Sequence, residues 1–362
     1  MKINIKNIHF KFLYIFFIIL SLNIFFFSTA KIEAKAFEID NIDVSRPFKI
    51  DFNKNDVIND GFKKAFSELI LLIVKSSDQK KIKNIKLNEI KGMIDSFTIK
   101  EEKFVDEIYY VNLGVSFNKK KIFQYLEKRN IFASIPLRKK FLFIPIIIDE
   151  KEKDLLIFYD NKFYDNWNNL VETYHLIEYI LPTEDLEDLS KIKKEYDDIE
   201  QYNFNEITEK YDLDNSIITL IFVNDTQVRI LSRLTAKDNT ILKNQSFSNI
   251  DINDEKQFSN LIKNLKIVYE DYWKDYNEIN TSIKLILKIK VENNDSIKAS
   301  NFEKALNKTD LVYDFYISKF DKKFTYYEIV FNNTPNVFLK SMKEYDYNFD
   351  IQNKIWILKW ES

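Results

Sequence analysis

Apolar and polar residues alternate between Phe37 and Arg46, with Phe37, Ile39, Ile42 and Val44 as the apolar set, which predicts a strand with an irregularity near its middle. From Asn55 the apolar spacing changes to three and four, through Ile58, Phe62, Ala65, Phe66, Leu69 and Ile73. That period predicts an amphipathic helix over 55–75, capped by Asn55 or Asp56. A second helix is predicted at 86–96, a hairpin at 97–104 and 107–117, a helix at 120–130 and a buried strand at 140–149. Together they make a β-α-α-β-β-α-β module over residues 37–150.

A second module, residues 151–279, opens with a short strand and an aromatic-rich helical stretch over 154–174. A strand at 176–182 follows, then acidic helical stretches at 184–199 and 203–211 and strands at 216–224, 227–236 and 240–247. A helix over 257–276 closes it, with Phe258, Leu261, Ile262, Leu265, Tyr269 and Tyr272 along one face. Residues 280–362 read β-α-β-β-α-β, the ferredoxin-like order. The chain is thus predicted to be α+β, three small modules of helices packed on mostly antiparallel sheets.

The N-terminus has a different pattern. Lys2, Lys6 and Lys11 precede an apolar run from Phe12 to Phe27, and Ser28-Thr29-Ala30 and Ala34-Lys35-Ala36 follow as small-x-small sites. This is the layout of a signal peptide over residues 1–30, with cleavage before Lys31 or Phe37. The run is short for a bilayer span of about 20 residues. A periplasmic protein is expected; the alternative is an inner-membrane protein anchored through residues 12–30, the one case in which membrane contact is expected.

Strand FEIDNIDVSR, the helix with Phe62-Lys63-Lys64-Ala65-Phe66, hairpin FTIKEEKFVDEIYYVNLGVSF, helix KKIFQYL and the stretch FLFIPIIIDEKEKDLLIFYDNKFYDNWNN together resemble the exported proteobacterial family catalogued as domain of unknown function (DUF) 2066. The match runs through the mature chain in order of elements and is that of a divergent member, with Lys64-Ala65-Phe66 where the family carries an Ala-Arg pair. The 176–276 stretch also resembles, in element order, the amino-terminal α/β domain of the periplasmic translocation protein TolB, which implies protein contacts. The first family implies no known activity and no catalytic residues.

Composition narrows the chemistry. With no Cys there is no disulfide framework, thiolate metal site or cysteine nucleophile. Three glycines, Gly61, Gly92 and Gly114, stand far apart, which excludes the glycine clusters of phosphate cradles and dinucleotide folds. Removing residues 1–30 takes away three lysines and no acids, leaving 51 basic against 56 acidic residues and a net charge of −5. No basic block remains to neutralise phosphates, so nucleic acid is not an expected partner. After cleavage His175 is the single histidine, too few for a His-based zinc site, and its place at a helix-to-strand junction between Tyr174 and Leu176 marks it as a partly buried structural residue rather than the base of a Ser-His pair. No metal, cofactor or catalytic residue is expected.

Carboxylates are the remaining route to catalysis, at Asp149, Glu150, Glu152 and Asp154 and at Glu184, Asp185, Glu187 and Asp188. The first group alternates with lysines in a predicted turn, and the second lies in a helix first turn, where acids suit the dipole. The aromatic density at Phe158–Tyr174 marks the candidate binding site: Trp167 as anchor, Tyr164 and Phe163 beside it, Asn161 and Asn166 as polar contacts, either as an exposed patch or as a buried seam. The leading expectation is a non-enzymatic exported protein that binds an envelope protein partner as a scaffold. The alternative is a carboxylate-dependent hydrolase or binder of a cell-wall glycan.

Overall fold

The computed structural model describes residues 37–359 except 173, 238, 281–282 and 294. The N-terminal apolar run and both cleavage sites lie outside the described residues. Among the described residues, no helix is long and apolar enough to cross a membrane. The fold is α+β, built on three sheets.

The first sheet contains β1 (Glu38–Pro47), β2 (Ile94–Val105) and β3 (Ile108–Phe117) in the order β1-β3-β2, all antiparallel. The irregularity predicted in β1 is a bulge between Ile39 and Ile42, with Asn41 at φ 57°. Helix α1 (Lys54–Ile73) buries Val57, Phe62, Ala65, Phe66, Leu69, Ile70 and Ile73 against this sheet. Its cap is Asn53, two residues before the earlier of the two predicted caps; the Asn53 side chain accepts from Asn55 N at 3.0 Å. The short α2 (Ser76–Gln79), α3 (Leu87–Met93) and α4 (Lys119–Glu127) complete this layer.

The central sheet combines β4 (Lys139–Asp149), β5 (Asp154–Leu156), β6 (Ile177–Ile180), β7 (Asn215–Asn224), β8 (Gln227–Ala236) and β9 (Asn239–Ser248). Strand β4 runs parallel to β6 and β7, and β7-β8-β9 form an antiparallel meander. Here the structure corrects the module boundary, because the strand assigned to the end of the first module belongs to this sheet. The reason is burial on both faces: Phe141, Phe143 and Ile147 enter one core, and Leu142, Ile144, Ile146 and Ile148 the other. Such a strand requires cover on both sides. Helix α8 (Glu255–Tyr276) and α5 (Lys162–Asn166) supply it on one face, α6 (Leu186–Lys194) and α7 (Asn205–Glu209) on the other. Helices α9 (Ser296–Lys308) and α10 (Pro335–Lys343) pack on the last sheet.

That sheet has the order β11-β12-β10-β14-β13, with β10 (Leu285–Glu292), β11 (Val312–Phe320), β12 (Phe324–Phe331), β13 (Asn348–Asp350) and β14 (Trp356–Lys359). Phe302 and Leu306 of α9 and Phe338 and Met342 of α10 cover one face. The order is that of a ferredoxin-like sheet with an addition. The unforeseen β13 turns back antiparallel into β14, so β14 reaches β10 running parallel to it.

Polar contacts fasten the sheets together. Ser134 N donates to Ile73 O at 2.8 Å, Ile279 N to Ala133 O at 2.8 Å and Ile135 N to Asn277 O at 3.0 Å. Lys75 stands between Asp275 at 2.7 Å and Glu278 at 2.8 Å. At the start of α4, Lys119 donates to Thr309 O at 2.8 Å and Lys120 pairs with Asp314.

Candidate functional site

The segment singled out for its aromatic residues sits where the edge of the central sheet is broken. Strand β4 is flanked by β6 along 139–142 and by β5 along 147–149, and the gap between them falls at Pro145, which has no N–H to offer a neighbour. Asn161 fills that gap. Its Nδ2 donates to Pro145 O at 3.0 Å and Leu156 O at 3.1 Å, while Oδ1 accepts from Phe163 N at 2.9 Å and caps α5. Asn161 is fully buried. Its polar atoms are spent on the backbone, a correction to its expected role as a ligand contact.

The aromatic side chains divide between the two cores. Trp167 is 0% exposed and stacks on Phe143 at 4.0 Å, with Tyr179 at 5.3 Å and Tyr269 at 6.0 Å. Phe163 is buried in the same core beside Phe258 at 4.8 Å. Tyr164 packs into the opposite core against Phe158. Asn166 is exposed, and its side chain returns to Lys162 O at 2.9 Å. Of the two arrangements open from the sequence, the structure shows buried packing, and no exposed platform exists at Trp167. The density follows from one short segment plugging a sheet edge and supplying two cores.

Behind Trp167 lies a row of buried charges on α8. Lys266, 2% exposed, donates to Leu170 O at 2.6 Å and lies 5.3 Å above the Trp167 ring and 5.4 Å above that of Tyr179. Burial pushes its ammonium down to about 8. One turn on, Glu270 accepts from Leu176 N at 2.9 Å and Ile177 N at 3.1 Å, and burial raises its carboxyl above the ordinary range. A further turn on, Lys274 donates to Val74 O at 3.3 Å. His175, held down to about 4 by burial and by Lys266, Lys274 and Arg138, accepts from Glu172 N through Nδ1. Among the described residues the hydrogen bonds of this row go to main chain, and its charges otherwise face one another, Asp271 and aromatic rings, so the row holds the fold.

The acidic stretches are also engaged. Asp149 accepts from Lys151 N and Glu152 N, both at 2.9 Å, within a turn, and Asp154 pairs with Lys193 at 3.0 Å. Asp185 caps α6, and Lys210 lies 3.0 Å from it and 2.7 Å from Asp188. Among the described residues no group of three or more His, Asp or Glu gathers as a metal site would require.

The open chemistry lies on the first sheet, on the face away from α1. Register places Asp43, Asn112 and Glu101 in one row across β1, β3 and β2, and Ser45, Tyr110 and Lys103 in the next. These rows line a groove of about 940 Å³. Asn112 Nδ2 donates to Asp43 Oδ1 at 2.8 Å, and Lys103 pairs with Glu101 at 3.3 Å. Val105 lines the groove at the end of β2, and an apolar tip lies at the same end of the sheet on its α1 side, where Phe104 pairs with Tyr109. Phe48 and Phe104, 53% and 56% exposed, meet at 5.0 Å, and fully exposed Ile50 follows Phe48 by two residues. Two connections form the tip: the 48–53 loop, tied by Phe48 N to Glu107 O at 2.7 Å, and the tight turn at Asp106 and Glu107, both with positive φ. Sequence reasoning missed this site. Alternation along β3 marks Tyr110 and Asn112 as outward, but the row needs a cross-strand register that no local pattern carries. No family model matches the chain, and no curated protein matches it significantly.

Proposed function

We propose that the protein is a non-enzymatic, exported envelope protein that works as a rigid scaffold and grips a protein partner at the tip of its first sheet. The resemblance to exported proteins and the signal-peptide layout belong to this proposal. The observation that carries it is the joint exposure of Phe48 and Phe104, which meet at 5.0 Å where the 48–53 loop lies beside the end of β2, with exposed Ile50 two residues after Phe48. Contiguous apolar surface of this kind, rimmed by charge, marks protein-interaction sites. The test is mild crosslinking in native envelopes with recovery of the tagged chain, comparing wild type with the double variant Ile50→Asp, Phe104→Asp. The expected result is a recurrent partner lost in the variant while its melting temperature stays near wild type. A partner that survives the double substitution, or none from wild type, refutes the tip as the site.

A second reading, a binder or carboxylate-dependent hydrolase of a wall glycan, is favoured by the Asp43-Asn112-Glu101 row. Asp43 and Glu101 flank one central strand, so their backbones lie about 10 Å apart. Inverting glycosidases separate their carboxyls by roughly 6.5–9.5 Å. Wall-glycan binding or cleavage lost in both Asp43→Asn and Glu101→Gln would carry this reading; activity unaltered in both would remove it.

A further inference from the structure

Among the described residues, strand edges are defended, with one exception. Strand β1 carries a bulge and ends at Pro47, while β2 has two register shifts and a run of charges at Lys100–Lys103. Strand β11 has two shifts, and β5, β6 and β13 are three or four residues long. Such features discourage pairing with another chain. Strand β9 has none of them: it pairs with β8 over ten residues without a register shift, contains no proline and carries one charge, Lys243. Among the described residues, no strand lies on its far side.

The hydrogen-bond parity of that far side follows from the hairpin between β7 and β8. Asn224 and Gln227 close a two-residue turn, so Gln227, Arg229 and the alternate residues after them bond to β7, and Val228, Ile230 and their alternates to β9. Their partners are Phe247, Gln245, Lys243, Ile241 and Asn239. Thr240, Leu242, Asn244, Ser246 and Ser248 therefore direct their main-chain N–H and C=O groups away from the sheet.

We propose that β9 pairs antiparallel with β9 of a second copy of this chain, across a two-fold axis at Asn244, joining the two central sheets into one. The strand is self-complementary about that point. Thr240 meets the partner copy's Ser248, Leu242 meets Ser246 and Asn244 meets itself, so every outward main-chain group finds a partner. On the α8 face, Ile241 lies opposite Phe247, two half-buried apolar residues at the rim of the core, and Lys243 lies opposite Gln245 rather than another lysine. A like-charge pair is thereby avoided.

The test uses the full-length chain in mild non-ionic detergent, with sedimentation measured over a range of concentrations. Wild type is expected to dimerise. Asn244→Pro removes an N–H that points away from β8, so the sheet is retained while each copy loses a bond at the axis; the dissociation constant should rise roughly 10- to 100-fold. Asn244→Cys introduces the sole thiol of the chain, facing its own copy at about 5.5 Å between Cα atoms, and should oxidise to a covalent dimer, whereas Lys256→Cys should not. A wild type that stays monomeric at high concentration, a dimer indifferent to Asn244→Pro, or an Asn244→Cys variant that resists crosslinking overturns the proposal. Tip variants leave this association untouched, so its failure is separable from failure of the partner site.

Discussion

Replacing Trp167 by alanine tests whether the aromatic segment is core. An indole buries roughly 150–250 Å², and at about 25 cal/mol per Å² its removal from water is worth about 4–6 kcal/mol. Trp167 realises the full amount, being 0% exposed and stacked on Phe143. One term opposes it: Nε1 is buried with no hydrogen-bond partner among the described residues, at a cost of about 1–3 kcal/mol that truncation relieves. The net loss for Trp167→Ala is about 3 kcal/mol, at the lower end of the usual range for a large aromatic. Trp167→Phe keeps a ring against Phe143 and deletes the orphaned donor, so its cost should stay below about 1.5 kcal/mol. Urea denaturation followed by far-UV circular dichroism measures both. Equal losses for the two variants would show that the donor has a partner, and a Trp167→Ala loss under about 1 kcal/mol would show that the indole is not core.

Two glycines should respond with opposite signs. A Cβ on Gly92 of α3 meets nothing within 4 Å, so Gly92→Ala should gain about 0.5–1 kcal/mol from helix propensity; on Gly61 of α1 it would collide with Leu113 Cδ1 in a closed core, so Gly61→Ala should lose about 1–3 kcal/mol, both by denaturant titration. A gain at both positions would mean that the α1 interface yields freely. The imidazole of His175 stays neutral in the fold down to about 4 against its ordinary 6.5. The unfolded chain takes up that proton first, so stability present above about pH 6.5 is lost as pH falls from there toward about 4. Glu270, whose folded carboxyl is raised, contributes in the opposite sense, so the readout is the difference between wild type and His175→Gln in melting temperature at about pH 7 and about pH 5. The variant should lose less on acidification; an equal loss would place the acid sensitivity elsewhere.

Period-two and period-3.6 patterns recover most of the elements, including the β1 irregularity and the long α8, because each reflects one buried face along a continuous stretch. The errors arise where a residue serves something distant. Strand β4 pairs with β7 and β6, and neither neighbour is visible in the 140–149 pattern itself. What the pattern does contain is its unbroken apolar run, which signals a strand covered on both faces and fits the central sheet better than the first. The aromatic surplus around Trp167 reads as too much for one helix face, which is correct; α5 serves two cores at a sheet edge rather than one core and a surface. β13 is three residues long, too short for a periodicity to show, and it alone reverses the direction in which β14 meets β10.

The buried charges on α8 connect these surfaces mechanically. Lys266, Glu270 and Lys274 stand one turn apart and each holds a different piece of backbone: Leu170, the start of β6, and the end of α1 at Val74. Burying three charges costs more than hydrophobic residues of equal volume would, so a return in specificity is the reasonable account: each charge accepts one backbone position and penalises a shifted one. The helix therefore locks the register between the central sheet, which carries the β9 edge, and the first sheet, which carries the Phe48–Phe104 tip. A dimer through β9 would then present two tips on one stiff frame. If both reach sites on the same partner, the second contact becomes intramolecular, and binding should weaken by more than the single-tip affinity explains when Asn244→Pro separates the copies. Binding that is unchanged by that substitution would mean that each copy engages its partner alone.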